Sequence, residues 1–164
     1  MQRCSEGDYT VERGVFQTLI DMDREILFRG RSFSDGSWVY GDLEYERNKG
    51  SLGKVRIHTY KEDGSYDRQH LVESKTVGQF TGMTEKHGVK VFEGDVVEVF
   101  DFTSVYASKY RGVVKIYRGS WCVEYEDSIF DMVFHPMLFF DDFADRKTEV
   151  IGNIHDNPEL LATK

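Results

Sequence analysis

The sequence predicts a mainly β protein (β-rich α+β), in which a small SH3-like barrel or meander carries a short C-terminal helix and an appended N-terminal segment. Several short segments alternate apolar and polar residues, as half-buried strands do. Glycine-containing turns separate these segments, and the chain holds 15 glycines. Apolar residues make up 40% of the 164 residues and only 2 are prolines, so we expect a packed core without a proline-rich linker.

The first 23 residues are predicted to be an N-terminal extension. Five apolar residues there recur at helical spacing, which indicates a short amphipathic helix: Val11, Val15, Phe16, Leu19 and Ile20. Met22 begins "MDREILFRGR" and could itself serve as a start. Residues 24–164 are then the β-rich domain, with N-terminal strands in 24–75 and the barrel-like part in 76–164.

Two segments show the strand pattern most clearly. In "KVRIHTY", Val55 and Ile57 alternate with Arg56, His58 and Tyr60, which predicts one buried and one outer face. "WCVEYE" alternates in the same way from residue 121. The Asp-Gly pair in "KEDGSYD" and the "RGS" at residues 118–120 predict tight turns beside these strands.

The C-terminal end predicts a helix of one or two turns. Asn157 is a suitable N-cap, Pro158 suits the first helical position, and Glu159 follows near the positive end of the helix dipole. Residues 128–148 fit neither the strand nor the helix period, and Pro136 would interrupt any helix there.

Residues 78–99, "GQFTGMTEKHGVKVFEGDVVEV", are glycine-rich without the spacing of a phosphate-binding loop. Such a loop needs GxxxxGK[ST] before a helix, whereas β-branched residues follow the glycines here. We therefore predict three strands joined by turns at Gly88 and Gly94, with His87 exposed in the first turn.

Three stretches resemble the YopX family of bacteriophage and prophage proteins. The 78–99 stretch is similar to the family's "GQYTGL.DKNGK.IYEGD.V.V". "REILFRGRSFSDGSWVYGDLEY" is similar to its opening, which runs from "ILFRGK" to "W.YGDL", and "EVIGNIHDNPELL" to its closing "EVIGNIYENPELL". The three stretches lie in order and bracket residues 24–161.

The resemblance implies a mainly β fold with small barrel-like sheets, in which the "EGD.V" strand is similar to the first strand of an SH3-like barrel. It also implies a phage or prophage origin. The family has no assigned biochemical function, so it supplies no catalytic residues.

Charge and cysteine content narrow the classes of function. The net charge of −8 disfavours binding to nucleic acid through its phosphates, although a local basic patch could still exist. Two isolated cysteines, Cys4 and Cys122, and the absence of a signal peptide predict a cytoplasmic location in the bacterial host cell. The longest apolar runs are too short to cross a membrane.

Candidate chemistry is sparse. His135 with Asp141, Asp142 and Asp145 could bind a hard metal ion, but a solvated acidic loop explains them as well. His155–Asp156 could be an acid–base pair, although Asp156 also suits a turn or cap. Cys122 among strand residues is more typical of packing than of a nucleophile. We therefore predict no catalytic residue, metal ion or cofactor, and no enzyme activity.

Binding has more support. Aromatic residues on predicted strands could hold a peptide or single-stranded nucleic acid, or could simply build the core: Trp38, Tyr40, Phe80, Phe92, Tyr106, Tyr110, Tyr117 and Trp121. Basic residues could form a local patch: Arg24, Arg29, Arg31, Lys109, Arg111, Lys115 and Arg118. From these sets we predict the following binding residues: Trp38, Tyr40, Lys109, Arg111, Lys115 and Arg118.

The sequence thus predicts a non-catalytic binding or accessory module that acts on a host protein. The first alternative is a single-stranded nucleic-acid-binding small barrel, and the second is a metal-dependent enzyme. Unpaired sheet edges also predict self-association into a homo-oligomer.

Overall fold

Eleven strands in two antiparallel sheets form the regular structure of the described residues, together with two short 3₁₀ turns. The computed structural model describes residues 25–46, 53–85, 87–101, 108–127, 131–136 and 146–161. The predicted N-terminal helix lies outside these residues. The strands are β1 Phe28–Arg31, β2 Trp38–Tyr45, β3 Val55–Tyr60, β4 Tyr66–Val72, β5 Gly78–Thr84, β6 Lys90–Phe92, β7 Asp95–Asp101, β8 Ser108–Tyr117, β9 Ser120–Asp127, β10 Asp131–Pro136 and β11 Arg146–Asn153.

The first sheet has the strand order β4-β3-β2-β1-β5-β6 and curls back on itself. The end of β1 meets the end of β4, where the Phe33 N–H donates to the Leu71 carbonyl at 3.0 Å and the Glu73 N–H donates to the Arg31 carbonyl at 2.9 Å. The curl encloses a small core of Val55, Ile57 and Val72, against which Val39, Leu43 and Val77 pack. Val55 and Ile57 belong to β3, so the predicted inner face of that strand is confirmed.

The second sheet has the order β10-β9-β8-β7-β11. Val97, Val99, Val114 and Val123, from three strands of this sheet, form a second core. Val91 of β6 and Met83 of β5 join this core from the first sheet. This shared core holds the two sheets together. Because β5 and β6 belong to the first sheet, the chain changes sheet after residue 92. The division between residues 24–75 and 76–164 stays a prediction.

The Glu93–Gly94 corner is where the chain leaves the first sheet. The predicted hairpin of β5 and β6 is confirmed, but the third strand does not continue it as a meander. The Glu93 N–H donates to Gln79 of β5 at 2.9 Å, whereas the Gly94 N–H donates to Val114 of β8 at 2.9 Å. Successive amides thus bond to different sheets, and Gly94 allows the sharp change of direction through its φ of 82°.

Two details of the predicted fold were wrong. The sheets do not close into a barrel within the described residues, since the first sheet curls and β7 passes to the second. The C-terminal helix is only a 3₁₀ turn at Pro158–Leu161, with the Leu160 N–H bonded three residues back to the Asn157 carbonyl at 3.1 Å. So short a segment pays the cost of helix nucleation with few hydrogen bonds in return.

Other local predictions were confirmed. Gly64 (φ 78°) and Gly88 (φ 82°) occupy tight turns, His87 is exposed, and Arg118–Gly119 form a two-residue hairpin loop with φ of 50° and 83°. Residues 131–136, in the segment that fitted no period, form β10 at the end of the second sheet, and edge strands are where sheets tolerate proline.

Candidate binding site

A buried ion pair occupies the junction between the two sheets. Arg29 of β1 and Asp95 of β7 approach to 2.6 Å, and their side chains are only 8% and 2% exposed. The Arg29 guanidinium also donates to the Glu93 carbonyl at 3.2 Å and lies 4.9 Å from the ring centres of Trp38 and Phe92. The Phe92 N–H donates to Asp95 at 2.7 Å. Burial raises the pKa of Asp95, while the charge of Arg29 opposes that shift.

Asp156 anchors the opposite side of the same junction. The Trp38 Nε1–H donates to its carboxylate at 2.6 Å, Asn153 Nδ2 donates at 2.8 Å, and Arg31 lies 3.6 Å away. The hydrogen bonds from Asn153 and Trp38 lower the pKa of Asp156. Asp156 is therefore a structural anion, and the geometry does not present it as a base for His155.

The three stretches that carry the family resemblance converge on this junction. The opening stretch supplies Arg29 and Trp38, the glycine-rich stretch supplies Asp95, and the closing stretch supplies Asp156. The Ile154 N–H from the closing stretch donates to the Gly94 carbonyl at 2.9 Å. These residues join the two sheets, so in this chain the residues that carry the resemblance to the family serve the fold.

A cleft of about 230 Å³ lies beside the junction, between the 3₁₀ turn at Ser74–Thr76, β8 and the turn after β11. Its polar lining comprises Lys75, Glu93, Lys115 and His155. Burial, followed by the charge of Arg29, lowers the pKa of His155, which favours the neutral imidazole. The two lysines are already paired with Glu73 and Glu124, so the cleft does not concentrate free positive charge.

Beyond the junction, the same face of the first sheet is exposed and rich in tyrosine. Tyr40, Tyr60 and Tyr66 are 48%, 50% and 52% exposed. The ring centre of Tyr66 lies 6.2 Å from that of Tyr60 and 5.9 Å from that of His58, while the Tyr40 ring packs on buried Phe92 at 5.5 Å. We call Tyr40, Asp42, His58, Tyr60 and Tyr66 the tyrosine face.

Strand register places Asp42 within this face. Asp42 of β2 lies opposite His58 of β3, so Tyr60 is its diagonal neighbour. The Tyr60 hydroxyl donates a hydrogen bond to Asp42, which raises the pKa of Tyr60. Tyr40 precedes Asp42 by two residues and shares its side of the strand. The carboxylate thus lies beside Tyr60 and on the same side of the sheet as Tyr40.

The neighbouring charges on this face are paired. Glu44 lies 2.5 Å from the His58 ring, and Arg56 lies 2.8 Å from Glu46 and 3.9 Å from Glu44. Within the described ranges, Asp42 forms no ion pair with a basic side chain. The tyrosine face therefore combines exposed aromatic surface with one negative charge that no cation of the described chain offsets.

The structure places the predicted binding residues in two separate regions. Trp38 and Tyr40 lie on the first sheet, Trp38 half-buried in the junction and Tyr40 in the tyrosine face. The basic residues lie on the second sheet, where Glu98 holds both Lys109 (2.8 Å) and Arg111 (2.9 Å), and Glu124 pairs with Lys115. Arg118 lies over the Tyr117 ring at 5.2 Å.

Most of the other aromatic candidates pack in the interior. Phe80 and Phe92 are 6% and 3% exposed, and Trp121 and Tyr110 pack against the core of the second sheet. Tyr117 is 39% exposed, and Tyr106 lies outside the described residues. Phe80, Phe92, Trp121 and Tyr110 therefore fit the alternative that the sequence left open, in which aromatic residues build the core.

The remaining candidates gain little from the structure. Asp141, Asp142 and Asp145 lie outside the described residues, and the backbone of His135 pairs with Val123 at the sheet edge. Cys122 is buried, and burial raises the pKa of its thiol. Across the described ranges, no group of three potential metal ligands comes together, and no helix is long and apolar enough to cross a membrane.

Sequence reasoning placed Tyr60 on an outer face but selected neither Tyr60 nor Tyr66 as a binding residue, and it missed Asp95 as an interior charge. The two tyrosines flank the predicted "KEDGS" turn, so the hairpin itself could have shown that they face each other. The sequence carries no comparable signal for Asp95, because its partner Arg29 comes from another strand and another sheet.

Comparison with known proteins identifies the family of the chain. By its fold, the described part of the chain is a β domain of two antiparallel sheets that meet at a polar junction. The YopX protein family model matches residues 27–162. The chain belongs to the YopX protein family. It is also similar to the crystal structure of protein EF1440 from Enterococcus faecalis, with 22% identity and a TM-score of 0.48 over 84% of this chain and 99% of that chain. No curated protein matches the chain.

Proposed function

We propose that this YopX-family chain is a non-catalytic binding or accessory module, encoded by a phage or prophage, that acts on a host protein in the bacterial cytoplasm. The observation that carries the proposal is the tyrosine face. Three half-exposed tyrosines lie on one face of the first sheet, and two of them, Tyr60 and Tyr66, have adjacent rings. Tyrosine is enriched at protein interfaces because it supplies a large contact area with few rotatable bonds.

The charged groups at the junction support a non-catalytic role, because each is held by partners within the chain. Buried Arg29 and Asp95 pair with each other, and exposed Asp156 accepts hydrogen bonds from Trp38 and Asn153. Burial and the charge of Arg29 lower the pKa of His155, which lies beside these groups. These groups serve the docking of the sheets, which leaves the exposed face as the surface for a partner.

Charge supports a protein partner over single-stranded nucleic acid. The tyrosine face carries the unpaired carboxylate of Asp42, which would repel phosphate. The basic residues predicted at positions 109–118 lie on the other sheet, where Lys109 and Arg111 are paired with Glu98 and Lys115 is paired with Glu124. Proteins that bind single strands combine stacking rings with a positively charged groove, whereas the tyrosine face and the basic residues at 109–118 lie on different sheets.

The test is a tagged pull-down from host lysate, with and without nuclease, comparing the parent protein with the Tyr40→Ala/Tyr60→Ala/Tyr66→Ala variant. We expect one discrete host protein that survives nuclease and is lost in the variant. Tyr45→Ala is the matched control, since Tyr45 is 51% exposed on β2 but has the opposite strand parity to Tyr40. Capture that the triple variant retains, or that nuclease removes, would contradict the proposal.

Self-association through unpaired sheet edges stays a prediction. The strands at the ends of the two sheets offer backbone groups that a second copy could pair with. A light-scattering mass equal to one 19.1 kDa chain would contradict it.

A further inference from the structure

The buried and exposed halves of one sheet face share the same kind of chemistry. In the buried half, a guanidinium lies 4.9 Å from each of two aromatic ring centres and is neutralised by a carboxylate 2.6 Å away: Arg29 with Trp38, Phe92 and Asp95. Arg29 is directly opposite Tyr40 in the strand register. The exposed half continues from Tyr40 with further rings and with the Asp42 carboxylate.

We propose that the tyrosine face receives an arginine side chain of the partner protein, with its guanidinium against the Tyr40 and Tyr60 rings and paired with Asp42. This inference rests on the proposed function and names the partner's chemistry. Cation–π attraction favours a guanidinium over an exposed ring, and its planar fork also suits a carboxylate. The net charge of −8 would attract a basic partner segment over a longer range.

The other charged groups around the face do not oppose this assignment. Arg56 and His58 are the basic side chains nearest to Asp42 across the strands, and both are engaged by Glu44, with Arg56 also held by Glu46. An arriving cation therefore meets the Asp42 carboxylate, which accepts a hydrogen bond from Tyr60 but pairs with no basic side chain of the described residues, beside charges that are already paired. Arginine suits the face better than lysine, because its guanidinium is more weakly hydrated and stacks on aromatic rings.

The experiment uses the full chain and a defined probe, the pentapeptide acetyl-Arg-Gly-Arg-Gly-Arg-amide. The control probe carries citrulline in place of arginine, which keeps the shape and removes the charge. Titration is followed by the NMR signals of the tyrosine rings and of the backbone amides. We expect the arginine peptide to shift signals of the tyrosine face and to bind about tenfold more tightly than the citrulline peptide.

Variants separate the face from the general acidity of the protein. Asp42→Asn should weaken the arginine peptide severalfold, whereas Glu159→Gln, which removes an exposed carboxylate in the C-terminal 3₁₀ turn, should leave binding unchanged. Equal binding of both peptides, equal effects of both variants, or shifts centred on Glu98 and Glu124 would each overturn the inference.

The two proposals fail separately. If the tyrosine variant loses the host protein in the pull-down while the two peptides bind equally, the face is an interface that does not select arginine. If the tyrosine variant retains the host protein, the proposed function itself fails, whatever the peptides show. Asp42 is exposed, so Asp42→Asn is expected to fold, and its amide spectrum will show whether it does.

Discussion

Replacing Asp95 by Asn should destabilise the protein strongly while keeping its shape. An asparagine can still accept the Phe92 N–H through its side-chain oxygen, so the change removes mainly the negative charge. The Arg29 guanidinium would then be a buried cation with 8% exposure and no carboxylate at 2.6 Å. Only the carbonyl of Glu93 and the two ring faces would remain around it.

The expected loss is about 3–5 kcal/mol in the free energy of unfolding, the range for removing one partner of a buried ion pair. For a chain of this size, that corresponds to a fall in Tm of roughly 6–20 °C. The matched control is Asp67→Asn, because Asp67 pairs with Arg68 at the surface, where the side chains are 31% and 67% exposed. There we expect a change of at most about 1 kcal/mol.

Urea unfolding followed by tryptophan fluorescence measures the loss directly. Trp38 lies in the junction and Trp121 packs in the second sheet, so Trp38→Phe and Trp121→Phe backgrounds report the two regions separately. Adding Arg29→Met to Asp95→Asn should recover about 1–3 kcal/mol, since the unpaired charge is then gone. A change below about 1 kcal/mol for Asp95→Asn alone would refute the reasoning that this pair holds the junction.

Three further predictions follow from single residues. The hydrogen bond from Lys109 lowers the pKa of Glu98, so ionised Glu98 stabilises the fold above the ordinary pKa of about 4.3, and this stabilisation is lost as pH falls through the folded pKa. The urea midpoint of the protein should therefore fall in acid, and it should fall less steeply in the Glu98→Gln variant. Gly41→Ala should lower the free energy of unfolding more than Gly64→Ala does. A Cβ at Gly41 would overlap the backbone carbonyl of His58, whereas a Cβ at Gly64 would meet open space and the cost there comes only from the positive φ of 78°. Cys122 should be alkylated slowly in the native protein and rapidly in urea, as peptide mapping would show; fast native alkylation would contradict its burial.

The local parts of the fold could be read from the sequence because their causes are local. The alternation that places Ile57 inside and His58 outside follows from the two-residue period of a strand. The turns at Gly64, Gly88 and Gly119 follow from the ease with which glycine adopts positive φ. The prediction of a C-terminal helix was wrong because cap residues indicate only where a helix could begin, whereas the length of a helix depends on propagation and packing.

The candidate site was only partly predictable. Tyr40 and Trp38 were selected as aromatic strand residues, but sequence alone does not show that Asp156 holds Trp38 in the junction. The basic residues near 109–118 form a patch in the sequence, yet the structure pairs them with carboxylates on neighbouring strands, such as Glu98. Charge neutralisation between strands depends on register, which the sequence does not state.

The sequence by itself determined the strand content, the turns, the inner and outer faces of individual strands and the family. Only the tertiary structure decided which sheet each strand joins, that Arg29 and Asp95 meet in the interior, and that three tyrosines share one exposed face. The physical reason is the separation of the partners: Glu93 follows Arg29 by 64 positions, and Asp156 follows Trp38 by 118 positions. Backbone preferences act over a few residues, whereas the pairing of buried charges and rings depends on the whole packed chain.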